Sequence, residues 1–260
     1  MTMGRVVRAE RGDQAALDYL QKDVFRNALD IWGLQREEKR YALYLYKARG
    51  EVASHIGFFR APEAVYASIG GEAGAAENLL GLVPKRAVVV CSPELLGAVK
   101  RRLRYDMIFP NDLMMVRRGE EKLKSRIEAV RLSSEHAAEY ASFGASFNVA
   151  ESPLEWSLEV LENSFVLGIM SEGKIASVAR IAAWLPQVAV IQGVETKPDL
   201  RRRGFGQAVV SAAVQEGLKL SESCCLFVRS GNEAESLYRG LGFRKIGEDY
   251  WVDVGTGLVP

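Results

Sequence analysis

The feature that most limits how this chain can fold is a strand, a glycine-rich turn and a helix that follow one another within residues 188–220. The apolar run at the start of this stretch is typical of a buried strand, and the apolar residues after Gln207 recur at helical spacing. Between them, residues 194–207 read Val-Glu-Thr-Lys-Pro-Asp-Leu-Arg-Arg-Arg-Gly-Phe-Gly-Gln. A direct passage from a strand into a helix predicts a mixed α/β fold.

The turn has the properties of an anion-binding site. The first N–H groups of a helix have no partner within the helix, and the helix dipole favours negative charge at that end. Gly204 and Gly206 would let phosphates approach the backbone with no side chain in the way. Arg201, Arg202 and Arg203 can add charge-assisted hydrogen bonds. We therefore expect a pyrophosphate to bind here.

Other glycine-rich motifs fit less well. A dinucleotide fingerprint would need a glycine where the chain has Val209, and a P-loop would need Gly-Lys-Ser or Gly-Lys-Thr. The remaining alternative is a tight turn that carries a solvated arginine cluster.

A second motif follows the next predicted strand. Residues 232–243 read Asn-Glu-Ala-Glu-Ser-Leu-Tyr-Arg-Gly-Leu-Gly-Phe. Together the two motifs resemble the GNAT superfamily of N-acetyltransferases, whose pattern is V-x-T-x-P-x-x-R-x-x-G-x-G and then N…A-x-x-L-Y-x-x-L-G-F. The order of the predicted elements extends this resemblance back to about residue 126. It implies a mixed sheet whose fourth and fifth strands splay apart around the pantetheine arm of acetyl-CoA.

The resemblance also implies a role for each matching residue. Backbone groups of Val194 and Thr196 would pair with the pantetheine arm, and those of residues 202–207 would hold the pyrophosphate. Tyr238 would serve as general acid toward the departing CoA thiolate, in a direct transfer through a ternary complex. The residues assigned to the cofactor are Val194, Thr196, Arg201, Arg202, Arg203, Gly204, Phe205, Gly206, Gln207 and Asn232.

The general base is less well defined by the sequence. An amine must lose a proton before or during its attack, and a carboxylate is a common acceptor. Glu195 lies on the predicted fourth strand and is the candidate. A regular strand alternates its faces, however, so Glu195 is out of phase with Val194 and Thr196 and could face solvent or pair with an arginine. Glu248 and Asp249 on the last predicted strand are further carboxylates.

The first half of the chain repeats the same order of predicted elements: a helical segment, three strands, a helix, a strand, a helix and a strand. Its helical segment spans residues 13–34, with Asp13 as the expected N-cap. The polar segment 117–125 predicts a boundary between an N-terminal domain (1–120) and a catalytic domain (126–260). The first half lacks an R-x-x-G-x-G turn, so we interpret it as a degenerate copy of the GNAT-like fold; an unrelated α/β domain is the alternative.

Composition and charge argue against several classes of cofactor and partner. Lysine and arginine number 34 against 33 acidic residues, so no global field favours nucleic acid or an acidic membrane. Cys91, Cys224 and Cys225, with two histidines in the chain, form neither a disulfide framework nor a zinc pattern. The chain shows no signal peptide and no apolar run of membrane-spanning length, so we expect a cytoplasmic protein. The expected partner is a small-molecule or peptide amine, with no metal. Transfer from a longer acyl-CoA and a CoA-binding regulatory module without turnover stay open, as does the oligomeric state.

Overall fold

A computed structural model describes residues 4–36, 39–123, 125, 127–147 and 153–257. The chain forms two compact units that interleave in sequence. Unit 1 consists of Met1–Leu113, Val228–Gly231 and Ile246–Pro260, and unit 2 of Met114–Phe227 and Asn232–Lys245. Because both units are discontinuous in sequence, they do not test the two continuous domain ranges 1–120 and 126–260, which stay predictions.

The first half of the chain supplies six strands and four helices among the described residues. The strands are β1 (Arg5–Arg8), β2 (Tyr41–Ala48), β3 (Glu51–Arg60), β4 (Val65–Gly71), β5 (Ala87–Cys91) and β6 (Met107–Arg117). The helices are α1 (Gln14–Leu20), α2 (Val24–Arg36), α3 (Ala73–Ala76) and α4 (Pro93–Arg102).

The second half supplies the same number of each, again counting the described residues. The strands are β7 (Val130–Arg131), β8 (Phe165–Ser171), β9 (Lys174–Trp184), β10 (Ala189–Thr196), β11 (Ser223–Arg229) and β12 (Arg244–Val254). The helices are α5 (Ala137–Ala145), α6 (Leu154–Asn163), α7 (Phe205–Leu220) and α8 (Ala234–Gly240). Each half thus runs strand, two helices, three strands, helix, strand, helix, strand, which is the repetition that the sequence predicted.

The predicted helix over residues 13–34 is divided in two. Asp13 is the N-cap, as expected: its Oδ1 accepts a hydrogen bond from the amide of Ala16 at 3.0 Å. A single 3-10 turn, Gln21–Asp23, then separates α1 from α2. The reason is a second cap, since Asp23 Oδ1 accepts a hydrogen bond from the amide of Arg26 at 3.2 Å and so starts a new helix.

In unit 1 the strands β1 to β4 pair antiparallel in chain order, β4 pairs parallel with β5, and β5 pairs antiparallel with β12. One face of this sheet carries the apolar residues Ile56, Ile69, Val89 and Cys91, which pack with α3 and α4. Burial of this face stabilises the unit, because each fully buried aliphatic side chain contributes roughly 1.5–3 kcal/mol.

In unit 2 the strands β7 to β10 pair antiparallel in chain order, and β10 pairs parallel with β11. One face of the sheet packs against α5 and α6 through a cluster that includes Phe143, Val160 and Val178. Helix α7 packs on the same strands, with Ala208, Val209, Ala213 and Val214 fully or almost fully buried.

No helix within the described part of the chain is both long and apolar enough to cross a membrane.

Candidate active site

The parallel strands β10 and β11 part soon after they meet. Their register contains two pairs among the described residues, Ala189 with Cys224 and Val190 with Cys225. The equivalent strands of unit 1, β4 and β5, stay paired over five positions, up to Ile69 with Cys91. The edge of β10 after Val190 is therefore open toward β11, as the resemblance implied for the fourth and fifth strands.

A β-bulge changes the phase of β10 within this open stretch. Gln192 pairs with Arg180, and the next pair joins Glu195 to Val178, so three residues of β10 advance against two of β9. Gly193 supplies the left-handed backbone that the bulge needs, with φ of 58°. Gln192 and Glu195 consequently project to the same face of the sheet, although their odd spacing would separate them on a regular strand.

The turn after β10 shapes the backbone around the start of α7. Arg202 and Gly204 both adopt positive φ, 65° and 85°, and α7 begins at Phe205. A positive φ at a residue with a side chain costs on the order of 1 kcal/mol, so the turn holds Arg202 against its preference. The carbonyl of Gly204 accepts the amide of Ala208 at 3.0 Å, which is the first bond of the helix. The amides of residues 205–207 have no partner four residues earlier in α7, which suits them to an anion.

The three arginines of the turn are exposed, and their side chains make only long or solvent-exposed polar contacts. Arg201 donates to the carbonyl of Thr196 at 3.4 Å, and Arg203 donates to the carbonyl of Asp199 at 3.4 Å. Arg202 contacts Glu233 at 3.2 Å between two largely exposed side chains, a kind of ion pair that contributes little to stability. All three guanidinium groups can thus turn to a phosphate at small cost.

Gly206 lies where the strand, the turn and α8 meet. A β-carbon there would lie 3.3 Å from Oγ1 of Thr196 and 3.6 Å from Cδ1 of Leu237. Oγ1 of Thr196 is in turn 2.8 Å from Oγ of Ser177, whose hydroxyl donates to the carbonyl of Glu195 at 2.8 Å. The end of β10 is thereby fixed beside a glycine cradle, which suits the pyrophosphate of an acyl-CoA.

Tyr238 lies on α8, one residue after Leu237. The side chain is 6% exposed and packs edge-on against Phe243, with the ring centroids 5.9 Å apart. Burial raises the pKa of Tyr238 to about 12. The phenol is therefore protonated at neutral pH and can donate a hydrogen bond.

Glu195 is half-buried on the face of the sheet that packs against α5 and α6, because its register partner Val178 belongs to that core. Burial raises the pKa of its carboxyl, and Arg201 acts in the opposite direction. A carboxylate with a raised pKa is a better proton acceptor than an exposed one, which is the property that a general base requires.

Three residues that the sequence did not single out accompany Glu195. Arg180 donates to Oε1 of Gln192 at 3.0 Å on the same face. Burial raises the pKa of the Tyr140 hydroxyl on α5, Arg180 lowers it, and the charge of Glu195 raises it. The sequence feature that could have indicated the bulge is Gly193, a glycine inside a strand pattern, and this bulge brings Gln192 and Glu195 to one face.

Asn232 has a local role among its contacts. Its Oδ1 accepts a hydrogen bond from the amide of Ala234 at 2.9 Å and so caps the start of α8. Its part in cofactor binding stays a prediction, as do the other assigned roles.

The geometry defines a class of protein: a GNAT-type fold, whose open strand edge and glycine-rich helix start suit acyl transfer from an acyl-CoA. Comparisons with known proteins agree. Residues 166–252 match the family model described as FR47-like protein.

Solved structures of low sequence identity share the fold over nearly the full length of the chain. A Drosophila protein is similar with a TM-score of 0.73 at 14% identity, covering 97% of this chain and 99% of its own. A tandem GNAT protein from the clavulanic acid biosynthesis pathway has a TM-score of 0.60 at 12% identity, covering 96% and 97%. A GCN5-related N-acetyltransferase from Kribbella flavida has a TM-score of 0.59 at 15% identity, covering 94% and 96%.

The predicted mixed α/β fold, GNAT-like and in tandem, is therefore confirmed, together with the resemblance on which it was based. The fold supports acyl transfer in general. Among curated proteins, a UPF0039 protein of Schizosaccharomyces pombe is 32% identical over 84 residues. That match covers 32% of this chain and 56% of the yeast protein, so the chain spans about half of its relative's length.

The part of the chain that the structure describes contains no group of three histidine, cysteine, aspartate or glutamate residues arranged to hold a metal ion.

Proposed function

We propose that the chain is an N-acetyltransferase, which transfers the acetyl group of acetyl-CoA to an amine in a ternary complex. The observation that carries the proposal is the parting of β10 from β11 directly before the glycine-rich start of α7. An open strand edge can pair with the amide-bearing pantetheine arm, and free helix amides can hold the pyrophosphate. Val194 and Thr196 are the residues whose backbone would pair with the arm.

Acetyl-CoA supplies an activated thioester, and two residues of unit 2 accept and donate the protons of the reaction. Glu195 accepts the proton that the attacking amine loses as its nitrogen bonds to the acetyl carbon. The carbon–sulfur bond then breaks and its electron pair goes to sulfur. Tyr238 donates its hydroxyl proton toward that sulfur. Because the pKa of Tyr238 is about 12, its phenolate then takes up a proton from water, while Glu195 releases the proton of the amine to water, which restores both groups for the next turnover.

The first test is calorimetric titration of the protein with acetyl-CoA, comparing the wild type with Gly206→Glu. A glutamate at this position would place a side chain against Thr196 and a negative charge where the phosphates bind. The wild type should bind saturably, and the variant should lose most of its affinity. Gly240→Glu is the matched control, because Gly240 is exposed on α8 and a β-carbon there would have no neighbour within 4 Å.

Either failure would be informative. If the wild type does not bind acetyl-CoA, the arginine-glycine turn is only a turn and the proposal is wrong. If it binds tightly but transfers nothing to a broad panel of amines, the chain is a CoA-binding regulatory module. Faster turnover with a longer acyl-CoA would correct the donor and leave the mechanism intact.

The acceptor proposed is a small-molecule or peptide amine, with neither nucleic acid nor a membrane as partner. We also propose a cytoplasmic location. The three cysteines are buried and free of disulfides, which is common in a reducing compartment.

A further inference from the structure

Unit 1 contains a cavity of about 390 Å³ at the ends of its parallel strands β4 and β5. Residues of α1, α2 and the turn between them form one wall, and Gly70, Gly71 and Ser92 lie at the strand ends opposite. All of the lining residues belong to unit 1. The cavity is therefore separate from the residues that we assign to the acyl-CoA.

A buried histidine lines this cavity with one ring nitrogen unused. His55 is 2% exposed, and its Nε2 lies 3.6 Å from Oδ2 of Asp30. Hydroxyl groups of Tyr41 and Ser68 donate to Asp30 at 2.9 Å and 2.7 Å, which fixes the carboxylate as a hydrogen-bond acceptor. Nδ1 of His55 has no hydrogen-bond partner. In the neutral tautomer that carries its proton on Nε2, on the side of Asp30, Nδ1 is an acceptor.

A buried acceptor without a hydrogen bond destabilises the folded protein, and a ligand that donates a hydrogen bond to it would remove that cost. The ring lies against Gly70, where a β-carbon would come within 2.3 Å of Cε1. A glycine at this position thus leaves room for the imidazole at the cavity wall.

The charges around the cavity favour a cation as the ligand. Arg26 uses all three of its nitrogens within the protein: Nε donates to Asp249 at 2.8 Å, Nη1 to Asp23 at 3.0 Å and Nη2 to the carbonyl of Glu248 at 3.4 Å. Nζ of Lys22 lies 5.3 Å from the centre of the Tyr19 ring.

Three carboxylates, those of Asp23, Glu94 and Asp249, line the cavity together with the two cations Lys22 and Arg26. Negative charge is thus in excess when the histidine is neutral. An anion beside Arg26 would lie close to the carboxylates of Asp23 and Asp249 that already pair with it, whereas those carboxylates would attract a cation.

We propose that this cavity binds a small molecule that carries a protonated amine, whose N–H groups donate to Asp249 and to Nδ1 of His55. The side chains of Tyr19, Ile69 and Val90 add aromatic and apolar surface for the rest of the ligand. Burial raises the pKa of Asp249 to about 6, so the carboxylate is ionised at neutral pH and an adjacent ammonium would stabilise it. The proposal does not depend on catalysis in unit 2.

The test uses three probes of similar shape and different charge, titrated into the full chain without acetyl-CoA and followed by ligand-observed NMR. Tyramine is the cation, 4-ethylphenol the neutral analogue and 4-hydroxyphenylacetate the anion. Tyramine should bind saturably and at least about tenfold more tightly than either analogue, because it alone forms charge-assisted hydrogen bonds with the carboxylate. Equal binding of the anion, or no saturable binding of tyramine, would overturn the proposal.

Variants locate the binding. Asp249→Asn and His55→Phe should each weaken tyramine binding about tenfold or more. Glu248→Gln is the matched control, since Glu248 is adjacent on β12 but its carboxylate bonds to the hydroxyl of Tyr250. Circular dichroism and thermal melts establish that each variant is folded. Glu195→Gln separates the two units: if it abolishes binding while Asp249→Asn does not, the amine binds in unit 2 and the proposal is wrong.

Discussion

Replacing Asp249 with asparagine should flatten the pH dependence of the stability of unit 1. Asp249 is 3% exposed, and burial raises the pKa of its carboxyl from 3.8 to about 6, although the hydrogen bond from Arg26 acts in the opposite direction. In the unfolded chain the pKa returns to about its ordinary value of 3.9. The folded protein therefore holds this proton over a pH window in which the unfolded chain has released it.

The sign and size of the effect follow from this difference. Below the pKa of the unfolded chain, Asp249 is protonated in both states and its titration does not change the free energy of unfolding. As the pH rises toward 6, the unfolded chain ionises first, so the free energy of unfolding falls. The difference between the folded and unfolded pKa of Asp249 corresponds to a total loss of about 3 kcal/mol in the free energy of unfolding, of which about 2 kcal/mol falls between about pH 4 and pH 7.

The assay is urea unfolding, followed by circular dichroism, of the wild type, Asp249→Asn and the control Glu248→Gln at several pH values in this range. Between about pH 4 and pH 7 the wild type should lose about 2 kcal/mol more stability than the asparagine variant. The control should follow the wild type. Parallel profiles for the wild type and Asp249→Asn would refute the reasoning, because they would mean that this carboxyl titrates alike in the folded and unfolded chains.

Three further predictions concern unit 2. Tyr238→Phe should keep acetyl-CoA affinity and the ring contact with Phe243 but lower kcat about 100-fold or more in a spectrophotometric assay of released thiol; an unchanged kcat would exclude Tyr238 as the proton donor. Glu195→Gln should remove the rise of kcat/KM with pH that accompanies ionisation of this carboxyl, whose pKa is raised, whereas a profile like that of the wild type would assign the base elsewhere. Gly193→Ala should cost on the order of 1 kcal/mol in urea unfolding through its φ of 58° alone, since a β-carbon there has no neighbour within 4 Å. The exposed helical control Gly97→Ala should instead stabilise by roughly 0.5–1 kcal/mol, and equal effects of the two changes would contradict the conformational explanation.

The order of the elements and the start of α7 could be predicted from the sequence because both depend on neighbours in the chain. Helical and strand periodicity are local patterns. The turn needs Gly204 at a positive φ just before the helix, and the cap of α1 needs Asp13 three residues before the amide of Ala16. The break between α1 and α2 could not be predicted as readily, since Asp23 lies within an uninterrupted apolar period and becomes a cap only once Arg26 turns to it.

The orientation of Glu195 was decided by the tertiary structure. On a regular strand it would face away from Gln192, but the bulge at Gly193 adds one residue to β10 and brings both to the same face. Where a bulge falls depends on the register with β9, whose pairing residues on either side of this bulge, Arg180 and Val178, lie 12 and 17 positions earlier in the chain than Gln192 and Glu195. The environment of Tyr140 beside Glu195 follows from the same register and from the packing of α5.

The sequence by itself determined the GNAT-like fold, its repetition along the chain and the segment suited to a pyrophosphate, because short motifs of glycine, arginine and tyrosine specify local backbone and local charge. The tertiary structure decided which carboxylates are buried and what faces them. In the sequence Asp249 was only a further carboxylate on the last predicted strand, and the structure places its side chain in unit 1, 2.8 Å from Arg26, a residue 223 positions away. Contacts between residues so far apart in sequence form only when the chain packs, so they cannot be predicted from a local sequence pattern.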